Sequence, residues 1–363
     1  MKLEVEKNTL LNGIQKVQNV ISSKSTLPIL SNILIDAQQS KLKLTATDLD
    51  IGISCAVPVD IQEPGIITIP AKRFGDIIKE LPDDSVSINT KKNNLVIIET
   101  KSCQFKIMGL PCEDFPKLPE FKEGGVIKIE QPVLKEMLTL TSFAVSLDET
   151  RYILNGILFK INQNKLTLVA TDGKRLAIIE RKLKQDTEKD LQLIVPLKTI
   201  QELNRNLQDE GELSMLLGNN QALFDLGAAV IISRLIEGEF PDYQQVIPPA
   251  AENKVNVNRE NFLLAVKRAA LLSTPDYQAV KLEVFKNKLV VSKSTPDVGE
   301  SREEISMEYQ GKEIAIGFNP NYLIDVLKNL KEDKVAFELT DTEKPGVLRI
   351  DGYVYIVLPM RLS

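Results

Sequence analysis

The chain has 363 residues, 43% of them hydrophobic, and a formal net charge of −5, enough apolar material for several buried cores. It contains no histidine, which removes the commonest general base near neutral pH, the Ser-His-Asp and Cys-His arrangements and every imidazole metal ligand. Its three cysteines, Cys55, Cys103 and Cys112, have no CxxC spacing and read as small buried hydrophobes in a reducing compartment. No apolar run approaches the ~18 residues of a membrane span, and the start, Met1-Lys-Leu-Glu-Val-Glu6, has no signal-peptide pattern. A cytoplasmic protein with no membrane contact, no cofactor and no covalent chemistry is expected.

Leu10, Ile14, Val17 and Ile21 recur at spacings of three and four, the apolar face of a first helix. A strand, Lys41-Leu-Lys-Leu-Thr-Ala-Thr-Asp48, comes next. A second helix is entered through Ile69-Pro70 and carries Phe74, Ile77, Ile78 and Leu81 on one face. The same order then returns. Val133, Met137, Leu140 and Ala144 precede Lys165-Leu-Thr-Leu-Val-Ala-Thr-Asp172, and Val195-Pro196 leads to Ile200, Leu203 and Leu207. A third pass runs from Phe262, Val266 and Ala269 through Lys288-Leu-Val-Val-Ser-Lys-Ser-Thr295 to Pro320, Leu323, Val326, Leu327 and Leu330. A proline at a helix head costs nothing, because its missing N–H would be unpaired there anyway.

The second strand motif lies 124 positions after the first and the third 123 after the second. A period of that length is a domain, not a solenoid unit. Alternating segments such as Tyr353-Val-Tyr-Ile-Val357 predict antiparallel sheet. The fold class is therefore α+β, with three repeated domains, each of two helices packed on antiparallel sheet. Pro-, Gly- and charge-rich connectors at 111–125 and 241–253 place the domains at 1–123, 124–250 and 251–363.

The acids best suited to metal binding or proton transfer are Asp48, Asp50 and Asp172. Because Asp48 and Asp172 are repeat equivalents in separate domains, strand-end residues that satisfy turn amides explain them better. No GxxxxGK[ST] phosphate loop is present. The acidic net charge hides a sorting of signs. Each predicted helix brings basic residues: Lys16 and Lys24, Lys72 with Arg73 and Lys79, Lys135, Lys198 with Arg205, Lys267 with Arg268, and Lys328 with Lys331. One helix of this kind reads as a solvated face, but six in repeat point to a shared basic surface.

Across its whole length the chain resembles the bacterial sliding clamps, the beta subunits of DNA polymerase III. The likeness is carried by Thr26-Leu-Pro-Ile-Leu30, Thr47-Asp48, Arg151-Tyr-Ile-Leu-Asn-Gly156, Ala170-Thr-Asp-Gly173 with Arg175-Leu176, Phe240-Pro-Asp-Tyr243, Gly317-Phe-Asn319 and the terminal Leu358-Pro-Met-Arg-Leu362. The resemblance implies a DNA clamp fold in a head-to-tail homodimeric ring, helices inside and sheets outside, encircling double-stranded DNA without reading its sequence. Crude geometry agrees: six helices side by side at about 10 Å close a hole of only about 9 Å, whereas twelve leave about 28 Å. Such a ring needs only weak phosphate attraction, and the absence of tryptophan leaves no indole to stack on bases.

The resemblance also implies a non-catalytic processivity factor that docks partners through a peptide pocket between the second and third domains. The partners would be the DNA polymerase III alpha subunit, the clamp-loader delta subunit, repair polymerases and other clamp-binding-motif proteins. By matching positions the pocket comprises Leu154, Thr171, Gly173, Lys174, Arg175, Leu176, Pro241, Val246, Ile356, Leu358, Pro359, Met360, Arg361 and Leu362. The DNA-contacting positions are Lys24, Arg73, Tyr152, Lys198 and Arg205; Tyr152 has core packing as a plain alternative. Three departures stand out. Gln245 replaces a commonly basic residue, Lys174 a common histidine, and the loop 342–346 is longer than usual, so nothing is carried into it. A DNA-free peptide-docking scaffold and, further off, a hydrolase on the same frame are the alternatives.

Overall fold

The computed structural model describes residues 1–21, 27–38, 40–82, 85–119, 126–187, 190–252 and 254–362. Among the described residues six α-helices stand where the periodicity places them: α1 (Lys7–Gln18), α2 (Ala71–Glu80), α3 (Gln131–Thr141), α4 (Leu197–Asn206), α5 (Arg259–Ala270) and α6 (Pro320–Asn329). In each repeat the first helix springs directly from a strand, Lys2–Glu6, Val126–Glu130 or Lys254–Asn258. Its start is fixed chemically where a cap is seen. Glu6 accepts from the Asn8 and Thr9 amides at 2.9 and 2.7 Å, and Asn258 accepts from the Asn261 amide at 3.0 Å. The predicted faces are the buried ones: Leu10, Ile14 and Val17, then Phe74 and Ile78, then Phe262, Val266 and Ala269.

The proline reading needs refinement. Pro320 does open α6 at the first helical position, behind an Asn319 cap. Pro70 and Pro196 instead end the strands Gly65–Pro70 and Leu191–Pro196, each at the outer edge of its sheet. There the missing N–H is not needed by a ladder, and the fixed φ of Pro70 (−55°) suits the residue before a helix. The cysteine reading also needs correction. Only Cys55 is buried, while Cys103 and Cys112 are half-buried; burial pushes the Cys55 thiol up to about 11, which makes it inert.

Among the described residues all strand pairings are antiparallel. Two compact units emerge, residues 1–135 with 198–235, and 136–197 with 236–363. The second repeat is thus divided between them. The first unit holds a five-stranded sheet, ordered Asp60–Glu63, Lys2–Glu6, Ser85–Thr90, Leu95–Glu99, Gln104–Met108. It also holds an eight-stranded sheet in which Val230–Arg234 of the second repeat pairs with Ile51–Pro58 of the first, Ile232 opposite Gly52.

The second unit repeats the device. Its eight-stranded sheet runs Leu191–Pro196, Gly156–Asn162, Lys165–Thr171, Arg175–Lys182, Tyr353–Val357, Gly346–Ile350, Lys334–Glu338, Lys254–Asn258. Tyr353–Val357 of the third repeat joins Arg175–Lys182 of the second, with Leu176 opposite Ile356 and Ile178 opposite Val354. A four-stranded sheet completes the unit in the order Gly299–Ser306, Lys288–Thr295, Val280–Phe285, Ile314–Phe318. Helices α5 and α6 pack on each other here, as α1 and α2 do in the first unit. Among the described residues no helix is long and apolar enough to cross a membrane.

One face of the second eight-stranded sheet carries its own apolar cluster, Leu158, Val169, Leu176, Ile178, Ile194, Val347 and Ile356. The connector after Ile236 lies over it, with Phe240, Tyr243 and Ile247 packed down. The fit is close at Gly156: a Cβ there would sit 2.5 Å from the Val195 carbonyl oxygen and 3.0 Å from Ile236 Cδ1. Since a backbone oxygen cannot yield as a side chain does, Gly156→Ala is expected to cost about 1–3 kcal/mol of unfolding free energy, read as a lower urea midpoint. An unchanged midpoint would show that the strand can shift freely.

Candidate functional site

The repeated Thr-Asp pairs build one turn twice. Thr171 Oγ1 donates to the Arg175 carbonyl at 2.6 Å and accepts from the Gly173 amide at 3.0 Å. Asp172 Oδ1 accepts from the Lys174 and Arg175 amides at 2.9 and 3.0 Å. In the first repeat Thr47 and Asp48 make the same four bonds, to Ile51, Leu49, Asp50 and Ile51. These carboxylates are strand-end turn formers, as their place in the repeat predicts. The residue after the Asp has a left-handed backbone in both, φ +84° at Gly173 and +83° at Leu49. Glycine adopts that conformation without strain, and leucine does not.

What differs is the spare carboxylate oxygen. Asp172 Oδ2 accepts from Arg175 Nε at 3.0 Å, and Arg175 Nη1 reaches Asp325 Oδ2 at 2.6 Å. Nη2 donates to the Phe143 carbonyl, and the guanidinium lies 4.5 Å from the centre of the Tyr322 ring. The side chain is 10% exposed, so its charge is satisfied within the fold by two carboxylates, a carbonyl and an aromatic face. The neighbouring Tyr355 hydroxyl donates to the Tyr322 carbonyl at 2.9 Å, and burial pushes its phenol far above the ordinary range.

Against this fixed turn lies a cavity of about 230 Å³. Leu154, Thr171, Gly173, Lys174, Arg175, Leu176, Pro241, Val246, Ile356 and Leu358 all line it, so ten of the sequence-derived pocket positions come together. Pro359, Met360, Arg361 and Leu362 do not line it. The Leu358 amide makes its bond to the Lys174 carbonyl at 2.9 Å, and the chain then turns away. Met360 forms a bridge to Gly317, its amide 2.8 Å from that carbonyl, and Leu362 packs over the same glycine.

Three lining residues escaped the sequence reading: Asp242, Tyr243 and Pro345. The first two lie in the quoted Phe240-Pro-Asp-Tyr243 motif and needed only to be carried further. Asp242 caps the short 3-10 turn Tyr243–Val246, accepting from the Gln244 amide at 3.1 Å and from Gln245 Nε2 at 2.8 Å. Gln245 is therefore turned back on its own turn. Pro345 belongs to the long loop, shaped by Asp341, which accepts from the Glu343 and Lys344 amides at 2.9 Å each; no local pattern announces that it reaches the cavity.

The described DNA-contact positions fall on three elements, α2, the 3-10 segment Glu149–Leu154 and α4. Lys24 lies outside the described residues. Arg73 is exposed on α2, with Lys72 and Lys79, and none of the three has an ion-pair partner among the described residues. Tyr152, in the 3-10 segment Glu149–Leu154, is 57% exposed, which rules out the core-packing alternative. Lys198 on α4 is held by Asp48 Oδ2 and by the Val20 carbonyl at 3.0 Å. Arg205 pairs with the buried Glu202, whose carboxyl is pushed up by burial although Arg205 pulls the other way. Lys135 and Arg268 are likewise paired, with Asp209 and Glu303.

Comparison with known proteins follows this geometry closely. The chain matches the DNA polymerase III beta subunit family in three consecutive pieces: the N-terminal domain over residues 1–119, the central domain over 128–242 and the C-terminal domain over 244–361. A beta sliding clamp from Pseudomonas putida is 36% identical over 368 aligned positions, covering all of both chains. The crystal structure of the DNA polymerase sliding clamp from Bacillus subtilis superposes with a TM-score of 0.95 at 32% identity, again covering both chains completely. A sliding clamp from Pseudomonas aeruginosa bound to griselimycin gives 0.95 at 34% identity with the same coverage. The chain therefore belongs to the bacterial DNA polymerase III beta subunits, the DNA sliding clamps, a non-catalytic family.

Proposed function

We propose that the chain works as a head-to-tail homodimeric ring around duplex DNA, with domains 1–123, 124–250 and 251–363 of each copy as ring segments. In the cytoplasm it tethers the replicative polymerase through its alpha subunit. The clamp-loader delta subunit, repair polymerases and other clamp-binding-motif proteins dock at the same cavity. The observation that carries the docking half is the cavity itself. Its walls are largely aliphatic, its mouth is open at Val246 and Leu358 (57% and 46% exposed), and its floor is held by Arg175. An apolar side chain can enter without rearranging the fold, which suits a short peptide anchor.

The ring is supported by two sheet edges of opposite character that are unpaired among the described residues. The five-stranded sheet ends on Gln104–Met108, where Phe105 and Met108 are 40% and 57% exposed beside Lys106. The four-stranded sheet ends on the acidic strand Gly299–Ser306. Helix α5 is tied to that strand by Arg268–Glu303, and Leu271 just beyond the helix is 81% exposed. An edge strand left open invites pairing with another chain, and two unlike edges on separate sheets are what a head-to-tail contact uses. Leu271→Asp is expected to convert the dimer to monomers with an unchanged far-UV spectrum, measured by sedimentation; a persistent dimer would place the contact elsewhere.

For DNA the proposed contacts are Lys24, Arg73, Tyr152, Lys198 and Arg205. Lys198 and Arg205 must exchange an internal carboxylate for a phosphate, so each adds little net attraction. That fits a protein held by topology and free to slide. The deciding experiment loads the protein onto nicked circular DNA with its clamp loader and then linearises the circle. Loss on linearisation alone is expected. Retention on linear DNA would mean ordinary surface binding, and failure of an intact dimer to load would favour a DNA-free docking scaffold.

Val246→Asp puts a carboxylate at the cavity mouth on a residue already exposed. It should weaken peptide binding at least roughly tenfold while shifting the melting temperature little, as seen by calorimetry beside a binding titration. Full peptide affinity in this variant would remove the cavity from the docking site.

A further inference from the structure

A second concavity, of about 650 Å³, lies next along the same strands. Leu176 and Ile356 line the first cavity, and their same-face successors Ile178 and Val354 line the second. Two residues of strand advance about 7 Å, so the two spaces are successive steps on one sheet face. Tyr243, on the connector, lines both. Beyond Ile178 the face turns from apolar to charged: Glu180 follows on the same strand, with Thr167 and Lys160 in its row on the next two strands. Lys160, Lys165 and Arg349 border the second space against one acid, Glu180.

These cations are not equally free. Lys165 pairs with Glu180 at 2.8 Å, and Arg349 pairs with Glu338 at 3.2 Å. Lys160 is half-buried and has no ion-pair partner among the described residues. With Lys165 and Arg349 each paired, the surplus positive charge of the lining is that of Lys160, on a chain whose net charge is −5.

We propose that this groove receives the flank of the docked peptide and selects flanks that carry carboxylates a few residues from the apolar anchor. The inference rests on the docking reading above and adds to it a charge preference. An extended segment leaving the Leu176–Ile356 step would pass Tyr243 and bring its next same-side residues over Ile178 and Val354. The residues after those would come over Glu180, which Lys165 already pairs, with Lys160 in the same row two strands to the side as the cation toward which a carboxylate would turn. The contact is solvent-rimmed, so it tunes affinity and encounter rate more than it anchors.

The test uses the full-length protein and labelled synthetic peptides with a Leu-Phe anchor, flanked on either side by aspartates or by asparagines, followed by fluorescence anisotropy. At low salt the aspartate flank should bind roughly fivefold tighter than the asparagine flank, and the gain should vanish at about 0.5 M salt. Lys160→Glu should abolish the gain and leave the asparagine peptide unaffected. Glu180→Gln, which releases Lys165, should enlarge it. Equal binding of the two peptides, or a gain that survives Lys160→Glu, overturns the proposal while leaving the docking site intact. If the asparagine peptide does not bind, or binds Val246→Asp as well as the native protein, the docking reading itself fails and the charge preference with it.

Discussion

The pairing of Tyr353–Val357 with Arg175–Lys182 is the constraint on which the second unit depends. It turns two sequence repeats into one eight-stranded sheet, so strand edges that would otherwise attract other chains are closed within the molecule. The same move is made earlier, where Val230–Arg234 closes on Ile51–Pro58. Because each eight-stranded sheet takes strands from two repeats, the compact units do not follow the repeat boundaries. At the start of the later pairing stands Arg175, opposite Val357. Its guanidinium gathers Asp172, Asp325 and the Phe143 carbonyl, so the strand end is fixed in all directions. A buried cation with so many partners is costly to disturb, since losing one leaves the rest uncompensated.

That rigidity explains why a cavity persists there. An apolar cluster covers one sheet face, and a connector rich in proline and aromatic residues folds over it without sealing it. Gly173 contributes by lacking a side chain at a left-handed position next to the opening. In the first repeat the equivalent turn has Leu49, and Gly52 stands where the second has Leu176. Leu118 packs directly on Gly52, 2.2 Å from where a Cβ would be. Identical turn chemistry therefore supports two different surfaces, and the difference lies in a few side-chain volumes.

Electrostatics divides in a similar way. The helices do carry the basic residues, yet several are held by acids: Lys198 by Asp48, Lys135 by Asp209 and Arg268 by Glu303 from elsewhere in the fold, and Arg205 by Glu202 one turn back on its own helix. Counting cations along a helix thus overstates the field available to a polyanion. For the encircling ring proposed above this is no defect, because strong phosphate contacts would hinder sliding.

Much of this was legible in the sequence by itself. Periodicity located all six helices, because an apolar face must repeat every three or four residues to be buried. The Thr-Asp turns could be read because their bonds are local, spanning two to four residues. The motifs Ala170-Thr-Asp-Gly173 and Phe240-Pro-Asp-Tyr243 led to the family and to most of the cavity wall. Only the tertiary structure decided which groups distant in sequence meet. Arg175 and Asp325, and Lys198 and Asp48, are each 150 residues apart, and Pro345 reaches the cavity from a loop with no periodic signal. It also decided that Met360 and Leu362 close on Gly317 rather than line the cavity, and that Cys103 and Cys112 stay partly exposed. Local patterns record what a residue needs, burial or a turn; they do not record which distant strand will supply it.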